Sequence, residues 1–373
     1  MRQALAIAQY ATGRTSPNPL VGAVIVKDGR IVGQGWHRQA GTPHAEIHAL
    51  AQAGELAKDA AIYVTLEPCS HHGRTGPCAD ALIAAGIKKA VVAMTDPNPL
   101  VAGNGLHKLR AAGIEVVEGI LAAAAAKQNE VFIKWISTGL PFGVLKTAMS
   151  LDGKIAAYTG HSKWITGPAA RELVHQLRDT YDAILVGIGT VLADNPALTT
   201  RLPQGGKNPV RIIVDSLART PLTANVVTDR QAPTIIAVGE AAPADRIAAL
   251  RSQGAEVLVL ATTPAGVNLR QLFTVLGERR IASVLIEGGA AINAAALSAN
   301  LIDKLYAFIA PKIIGGQAAP GPVGGTGAAA ADQAFALEDV VTEAVGTDIL
   351  ISGYLTGREG RDVYRTCGRI RES

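Results

Sequence analysis

Apolar and polar residues alternate along residues 1–140 with both helical and strand-like periods, which predicts a mixed α/β structure. An amphipathic pattern predicts a helix over about residues 2–12. Apolar runs on either side of Asp28-Gly29 predict a β-hairpin, because this pair favours a tight two-residue turn. Farther along, the pattern predicts strands at 62–66, near Val91 and near Val116, and helices that begin at Thr42-Pro43, at Cys78 and near residue 121.

The alternation resumes after Gly139-Leu140-Pro141, a helix-breaking run that suits a domain boundary. Helices separate several of the strands predicted beyond it, which lie near Val144, Ile184, Ile212, Ile235, Val257, Val284 and Tyr306. Such alternation is typical of a largely parallel sheet. The Gly-, Ala- and Pro-rich stretch 315–331 suits a mobile loop, and the polar stretch from Arg358 suits a disordered tail.

The chain has 373 residues, more than one hydrophobic core usually serves, so two domains are expected. We place them at residues 1–141 and 142–357, followed by a tail at 358–373. The cysteine and histidine motif of the first domain does not recur in the second. The two domains are therefore not internal repeats.

Composition and charge exclude several classes of protein. A net charge of +4, spread evenly along the chain, does not predict a nucleic-acid surface. Apolar runs such as 297–314 are interrupted by charged residues, so no membrane span is expected. The start lacks the basic and apolar blocks of a signal peptide, and Cys367 is the one cysteine outside the motif described next. We therefore expect a cytoplasmic protein without a disulfide framework.

The residues with the clearest chemistry are His44, Glu46, Cys69 and Cys78. One His and two Cys from separate elements can hold Zn²⁺ and leave its fourth position open, which is typical of a catalytic site. Zinc then supplies a nucleophile at neutral pH, because it lowers the pKa of water to about 7. Glu46 can accept the water proton and pass protons to a ring nitrogen and a leaving amine. The pattern predicts a hydrolytic deaminase.

A closed structural zinc site is the alternative, because His71 or His72 could supply a fourth ligand. A second alternative is a zinc deaminase that acts on a base in RNA, which should show a basic surface with aromatic side chains. A third is a zinc-stabilised binding or scaffold protein without catalytic activity. Glu46 argues against it, because a scaffold needs no proton shuttle beside its metal.

The spacing of the two cysteines distinguishes this chain from most nucleobase deaminases. Nucleobase deaminases usually carry Pro-Cys-x-x-Cys, whereas here the eight residues 70–77 separate the two cysteines. This insert, with Thr15-Ser16-Pro17-Asn18-Pro19 and Asp96-Pro97-Asn98-Pro99, resembles the family of bifunctional riboflavin-biosynthesis deaminase/reductases. The resemblance continues to about Leu355, through the stretches 146–154, 164–166 and 190–196.

This resemblance implies that the first domain has a three-layer, cytidine-deaminase-like fold and removes the 2-amino group of a diaminopyrimidinone ribosylamine 5′-phosphate. His44, Cys69 and Cys78 would then bind one zinc ion per chain, and Glu46 would take the acid/base role. The substrate contacts that it implies are Asn18, His37 and Arg74. Considered alone, Asn18 would be a turn residue, His37 a surface histidine and Arg74 a solvated charge. Gly76 stands where the family usually has Pro, so we expect a looser loop there with the Cys78 ligand retained.

The second domain is implied to be dihydrofolate-reductase-like and to reduce the ribosyl group to a ribityl chain with NADPH. The NADPH contacts implied are Ala148, Trp164, Thr190, Asp194, Ser216, Gly289, Ala290, Ala291, Ile292, Asn293, Ala294 and Ala295. The substrate contacts implied are Lys146, Ser162, Arg178, Leu198, Arg201 and Glu287, with Lys146 positioning or polarising the ribose and the two arginines suiting the phosphate.

Residue patterns alone support this second site less strongly. Gly187-Ile188-Gly189 is not completed to the Gly-x-Gly-x-x-Gly of dinucleotide-binding folds. The turn at Gly288-Gly289, after a predicted strand, favours a tight strand-to-helix connection when considered alone. Similarly, Arg178 could be a solvated charge at a helix end and Trp164 a core residue. The family resemblance also implies a homodimer or higher homo-oligomer that acts on a small phosphorylated pyrimidine.

Overall fold

The computed structural model describes residues 1–70, 76–98 and 101–356, and the chain divides into two compact units at Gly139. The last helix of the first unit ends at this glycine, whose φ of 72° lies in the left-handed region. A glycine reaches this conformation without steric cost and so ends the helix. The second unit begins at Leu140.

The first unit contains a five-stranded sheet in the order β2-β1-β3-β4-β5. β1 and β2 form the predicted hairpin, β3 pairs antiparallel with β1, and β3, β4 and β5 are parallel. The elements are α1 Arg2–Ala8, β1 Gly22–Lys27, β2 Arg30–Trp36, α2 Ala45–Ala53, β3 Ala61–Val64, α3 Cys78–Ala84, β4 Lys89–Val92, α4 Asn104–Ala111, β5 Glu115–Glu118, α5 Ala122–Gln128 and α6 Glu130–Thr138.

Helices cover both faces of this sheet because successive strand residues point to opposite sides. Val24 packs with Ala4 and Ile7 of α1. Its neighbours on β1, Ala23 and Ile25, belong to the main core with residues of α2 and α3. The result is the three-layer arrangement expected from the sequence.

Small residues allow α2 to lie unusually close to β2. A methyl group added at Gly33 would lie 2.2 Å from the backbone oxygen of Ala49, and one added at Gly35 would lie 2.5 Å from that of Ala45. The facing helix residues Ala45, Ala49 and Ala53 are themselves small and buried. The first turn of α2 is therefore fixed by direct contact between backbone and backbone.

This helix begins later than predicted. Thr42-Pro43 predicts its start, but α2 begins at Ala45, and His44 is the N-cap residue with extended backbone angles (φ −75°, ψ 167°). An N-cap residue has non-helical angles by definition, because its role is to turn the chain into the helix. His44 therefore lies at the helix entrance, not within the first turn.

The second unit contains a nine-stranded sheet in the order β10-β9-β8-β7-β13-β6-β14-β16-β15. All neighbouring strands from β10 to β14 are parallel, which confirms the predicted sheet type. The elements are β6 Phe142–Ser150, α7 Pro168–Thr180, β7 Ala183–Gly187, α8 Ile188–Asp194, β8 Val210–Val214, α9 Asn225–Thr228, β9 Thr234–Gly239, α10 Ala244–Ser252, β10 Glu256–Leu260, β11 Thr262–Thr263, β12 Gly266–Val267, α11 Leu269–Glu278, β13 Ser283–Ile286, α12 Ala290–Ser298, β14 Lys304–Ala310, β15 Leu337–Val345 and β16 Asp348–Leu355.

Both faces of the parallel part of this sheet are covered by apolar clusters. Leu185 belongs to one apolar cluster with residues of α11 and α12, whereas the adjacent Ile184 and Val186 belong to another with residues of α8, α9 and α10. Parallel strands with helices on both sides have no solvated face, which explains why they form nearly continuous apolar runs in the sequence.

The final hairpin is absent from the sequence prediction. β15 and β16 pair antiparallel and extend the sheet beyond β14. β15 is an edge strand with mostly exposed side chains, so its sequence lacks a clear apolar alternation. No helix in the described ranges is long and apolar enough to cross a bilayer.

The Gly-rich stretch after β14 has no helix or strand up to residue 330, but hydrogen bonds attach it on two sides. Asp152 accepts the backbone N–H groups of Ile314 and Gly315, and Lys154 donates to the backbone oxygen of Ala319. Farther along, the N–H group of Gly324 donates to the backbone oxygen of Ala290 in α12. These contacts connect the end of β6 with the start of α12.

Substituting Gly35→Ala tests the close packing of α2. The added methyl group would lie 2.5 Å from both Ala45 O and His48 Cβ, so we expect a loss of about 1–3 kcal/mol in stability and weaker zinc retention. Thermal unfolding and metal analysis measure both. Gly189→Ala is the control, because its methyl group would meet no atom within 4 Å. Equal stability of the two variants would contradict the packing argument.

Candidate active sites

Three predicted metal ligands come together in the first unit. The ligand atoms of His44, Cys69 and Cys78 all lie within 4.8 Å of one another. His44 Nδ1 is 3.6 Å from Cys69 Sγ and 3.3 Å from Cys78 Sγ. An imidazole nitrogen and two sulfurs form a donor set that suits Zn²⁺, and no other metal-binding group of this kind occurs among residues 1–70, 76–98 and 101–356.

Each ligand occupies the end of a different element. His44 precedes α2, Cys69 lies in the loop after β3, and Cys78 is the first residue of α3. The backbone N–H group of Cys78 donates to Cys69 Sγ over 3.3 Å. This contact joins the start of α3 to the loop after β3 and keeps the two cysteine residues close to each other.

The two thiols ionise very differently. The hydrogen bond from Cys78, above all, lowers the pKa of Cys69 to about 4, and His44 contributes in the same direction. The hydrogen bond to Cys69 and burial raise the pKa of Cys78. The protein alone therefore stabilises one thiolate, and a divalent cation is the charge that would stabilise two.

Glu46 has the burial expected of a proton shuttle. It lies in the first turn of α2, with 3% of its surface exposed, and burial raises its pKa to about 7. Its Oε2 atom is buried without a hydrogen-bond partner among the described residues. This carboxyl group can therefore exchange a proton near neutral pH, and one oxygen remains available to a reacting molecule.

Asn18 and His37 lie beside the ligands. His37 Nε2 is 3.2 Å from Asn18 Nδ2, its Nδ1 is 3.3 Å from the backbone oxygen of Pro43, and its ring packs edge-on against that of His44. Burial lowers the pKa of His37, which favours the neutral ring at pH 7. The Pro43 carbonyl requires a proton on Nδ1, which leaves Nε2 to accept from Asn18 and leaves Asn18 Oδ1 free to accept from another donor. His37 is 3% exposed and not a surface residue.

The remaining predicted features of this site, Arg74 and the alternative ligands His71 and His72, lie outside the described residues. Gly76 is described and exposed, and a side chain there would meet no atom within 4 Å. The rest of the loop before Gly76, residues 71–75, lies outside the described residues, so its loosening stays a prediction.

In the second unit, three predicted substrate residues form one charged cluster. Arg178 donates from Nε and Nη2 to the two carboxylate oxygens of Glu287, over 2.7 and 2.9 Å. Lys146 Nζ lies 3.7 Å from Glu287 Oε2. The strand register brings Lys146 and Glu287 together, because Leu145 pairs with Ile286, the last residue of β13, and each of these is followed in the chain by a cluster member.

The neighbouring positive charges determine the ionisation of Glu287 in this cluster. Burial opposes ionisation of Glu287, but Arg178 and Lys146 outweigh it and lower the pKa of Glu287 to about 2. Burial also lowers the pKa of Lys146, against the attraction of Glu287. Arg178 is thus not a solvated charge at a helix end: it is part of a buried ion pair, and its Nη1 also donates to Thr199 O over 3.1 Å.

Arg201 borders the cluster on an irregular segment. Its backbone N–H group donates to His175 Nδ1 over 3.3 Å, while its side chain is exposed. Leu198, on the same segment, is buried and has a φ of 54°. Ser162 is half-buried in the loop before α7.

The predicted NADPH residues lie mainly where parallel strands end. Thr190 and Asp194 belong to α8, which follows β7, and Ser216 follows β8. The segment from Gly289 to Ala295 forms the N-cap and first turns of α12, after β13, and Ala148 lies on β6. Ligands of parallel sheets bind outside these strand ends, and a helix N-terminus offers N–H groups to a phosphate. Both features fit a dinucleotide.

Two of these residues differ in their surroundings. Asn293 is buried, and its Nδ2 donates to the backbone oxygen of Pro322 over 2.7 Å, so its side chain holds the Gly-rich stretch instead of facing a groove. Trp164 is 66% exposed and not a core residue. The Arg171 guanidinium lies 4.6 Å from its ring centre, and Lys312 donates to its backbone oxygen over 2.9 Å.

Sequence reasoning missed the residues that hold these sites through backbone contacts. Glu67, His175 and Lys312 are the main examples. Glu67 stands in the same motif as the cysteine ligands, but its partners lie about 30 to 40 positions away. Nothing in a single sequence pairs it with them, because they are backbone N–H groups that every residue type except Pro carries.

Two family models match the chain. Residues 1–94 match the cytidine and deoxycytidylate deaminase zinc-binding region. Residues 141–351 match the RibD C-terminal domain. These matches confirm the predicted fold class, a cytidine-deaminase-like domain followed by a reductase domain, within an α/β chain.

Relatives match over nearly the whole length. The riboflavin biosynthesis protein RibD of Actinobacillus pleuropneumoniae is 47% identical over 94% of this chain and 93% of the relative. That of Bacillus amyloliquefaciens is 46% identical over 98% of each. Among solved structures, Acinetobacter baumannii RibD, form 1, has a TM-score of 0.86 and 41% identity and covers 95% of this chain and 97% of its own. The Thermotoga maritima diaminohydroxyphosphoribosylaminopyrimidine deaminase/5-amino-6-(5-phosphoribosylamino)uracil reductase has a TM-score of 0.83 and 38% identity, with the same coverage.

His175 should make the second unit sensitive to acid. Burial, with Arg178 and Arg201 nearby, lowers its pKa from 6.5 to about 4, despite the opposite effect of Glu287. Between these values the unfolded chain binds a proton that the folded chain does not, so the stability that depends on neutral His175 is lost as pH falls from 6.5 towards 4. His175→Gln should flatten this part of the profile of unfolding midpoint against pH. Parallel profiles for both proteins would contradict the assignment.

Proposed function

The chain belongs to the RibD family of riboflavin-biosynthesis proteins, and from that membership we propose two consecutive reactions on one phosphorylated pyrimidine. The first is hydrolytic deamination of 2,5-diamino-6-(5-phosphoribosylamino)pyrimidin-4(3H)-one, with release of ammonia. The second is NADPH-dependent reduction of the ribosyl group to a ribityl chain. The observation that carries the proposal is the His44, Cys69 and Cys78 cluster with the buried Glu46 beside it.

In the deaminase, His44, Cys69 and Cys78 would hold zinc, which supplies a nucleophile at neutral pH by lowering the pKa of water to about 7. Glu46 accepts one proton from the attacking water and passes it to the ring nitrogen. It then takes the second proton from the hydroxyl group formed on the attacked carbon and passes it to the exocyclic amine, so that a carbonyl forms as ammonia leaves. Burial raises the pKa of Glu46 to about 7, and the positive charge of zinc would oppose this rise and favour the carboxylate, the form that accepts a proton.

Neutral His37 orients Asn18 for the pyrimidine. Asn18 donates to His37 through Nδ2, so its Oδ1 remains to accept from an N–H group on the edge of the substrate. We assign Arg74 to the ribose phosphate, because a guanidinium meets an oxyanion with two parallel N–H donors. No observation favours a nucleic-acid base as substrate or a non-catalytic scaffold.

In the reductase, NADPH supplies the hydride. The first turn of α12, Thr190 and Ser216 bind its phosphates and hydroxyl groups, and Ala148, Trp164 and Asp194 are its further contacts. Lys146 contacts the ribose, and Arg201 binds its phosphate, because its side chain is exposed. Arg178 is already occupied by Glu287, so the pair presents a fixed dipole to the substrate and does not provide a free phosphate ligand.

We also propose limits for the two catalytic domains. We assign deamination to residues 1–141 and reduction to residues 142–357, with 358–373 as a tail that carries neither. A cytoplasmic location is supported by the need for two reduced cysteine ligands. A homodimer or higher homo-oligomer is supported by the family resemblance alone.

Separate measurement of ammonia and NADPH tests the two reactions. Zinc-loaded protein given the diaminopyrimidinone ribosylamine phosphate should release ammonia without NADPH and should oxidise NADPH once deamination has occurred. NADPH oxidation without prior ammonia release would contradict the proposed order. Absence of ammonia release would refute the deaminase.

The Glu46→Gln variant separates proton transfer from metal binding. We expect ammonia release to fall by about 10²- to 10⁴-fold, while zinc content and reduction of pre-deaminated substrate stay unchanged. Metal analysis and the two assays measure this. Normal deamination by the variant would remove the role assigned to Glu46.

Arg201→Ala tests the phosphate contact in the second unit. The Michaelis constant for the phosphorylated substrate should rise by about 10- to 100-fold, as for loss of a charge-assisted hydrogen bond, while the dissociation constant of NADPH changes little. Fluorescence titration with NADPH and steady-state kinetics compare the two. An equal loss of both affinities would contradict the assignment.

A further inference from the structure

Glu67 is a buried carboxylate that the proposed chemistry does not use. It is 4% exposed and lies in the loop after β3, two residues before the zinc ligand Cys69. Its two oxygens accept four backbone N–H groups: Oε2 those of Asp96 (3.1 Å) and Gly103 (2.9 Å), and Oε1 those of Gly105 (2.8 Å) and Leu106 (3.3 Å).

These donors come from the two ends of one connection. Asp96 follows β4, whereas Gly103 is the N-cap of α4, and Gly105 and Leu106 belong to its first turn. A single carboxylate therefore brings together the start and the end of the connection between β4 and α4. Its negative charge also suits the positive end of the helix.

Close packing reinforces the same contact. A methyl group added at Gly105 would lie 1.9 Å from the backbone oxygen of Pro68. The N–H group of Glu67 itself donates to the backbone oxygen of Met94, so the chain after β4 continues beside the chain after β3. The connection is thus held against the loop that carries Cys69.

We propose that Glu67 is a positioning residue for deamination, which fixes the two ends of the connection between β4 and α4 against the loop that carries the zinc ligand Cys69. The inference rests on the proposed deamination. A carboxylate is required because each oxygen accepts two N–H groups. In a Glu67→Gln variant, an NH₂ group would replace one of these oxygens and face two other donors, so half of the contacts would be lost.

The Glu67→Gln variant should lower kcat/KM for ammonia release by about 10- to 100-fold, chiefly through KM, because displacement of these two chain ends beside the zinc ligands would misplace the substrate. Zinc content and reduction of pre-deaminated substrate should equal those of the wild type. Glu67→Asp, which keeps the charge, should recover part of the loss. Glu55→Gln is the matched control, because Glu55 is exposed. Gly105→Ala disturbs the same contact from the other side and should reproduce the defect.

Amide hydrogen exchange gives a second measurement that needs no turnover. The N–H groups of Asp96, Gly103, Gly105 and Leu106 should exchange faster in Glu67→Gln than in the wild type. Loss of zinc, unchanged exchange, or faster exchange with unchanged kinetics would each overturn the positioning role. Failure of the wild-type protein to release ammonia would instead overturn the proposed function, so the two failures are distinguishable.

Discussion

Parallel strands deliver their carboxyl ends to one edge of a sheet, and both sites of this chain depend on that constraint. In the first unit, β3 and β4 are parallel neighbours, so the loop that carries Cys69 lies beside the connection that begins at Asp96. In the second unit, β6, β13, β7 and β8 are parallel neighbours and lead to the residues assigned to substrate and NADPH. Both sites lie at these strand ends because side chains and helix N-termini meet there.

Three glutamates, Glu46, Glu67 and Glu287, show how the surroundings of a carboxylate set its role. Glu67 faces four backbone N–H groups and holds a loop. Glu287 faces Arg178 and Lys146, which lower its pKa to about 2 and keep it ionised. Glu46 has one oxygen without a partner among the described residues and a pKa raised to about 7, which leaves it able to exchange a proton. The same type of side chain therefore holds a loop at Glu67, serves as a counter-ion at Glu287 and carries a proton at Glu46.

Close contact between backbones is a second constraint on the geometry of the site in the first unit. Gly33 and Gly35 let α2 lie against β2, and Gly105 lets α4 lie against Pro68. The first of these helices, α2, follows the zinc ligand His44, and the second, α4, packs against Pro68, the residue before Cys69. These glycines do not need a special backbone angle: what matters is the absence of a side chain, because any Cβ would displace the helix and with it the geometry of the site.

The sequence by itself determined the alternation of strands and helices, the Asp28-Gly29 hairpin and the zinc-binding motif, because these depend on local periodicity and on side chains with few alternative uses. It also allowed the family to be recognised from the insert between Cys69 and Cys78. Only the tertiary structure decided that His44 is an N-cap residue, that Arg178 is buried against Glu287, that Asn293 holds a loop, and that Glu67 joins both ends of a connection. Those roles depend on partners far away in the chain, many of them backbone groups, and no sequence pattern distinguishes one backbone N–H group from another.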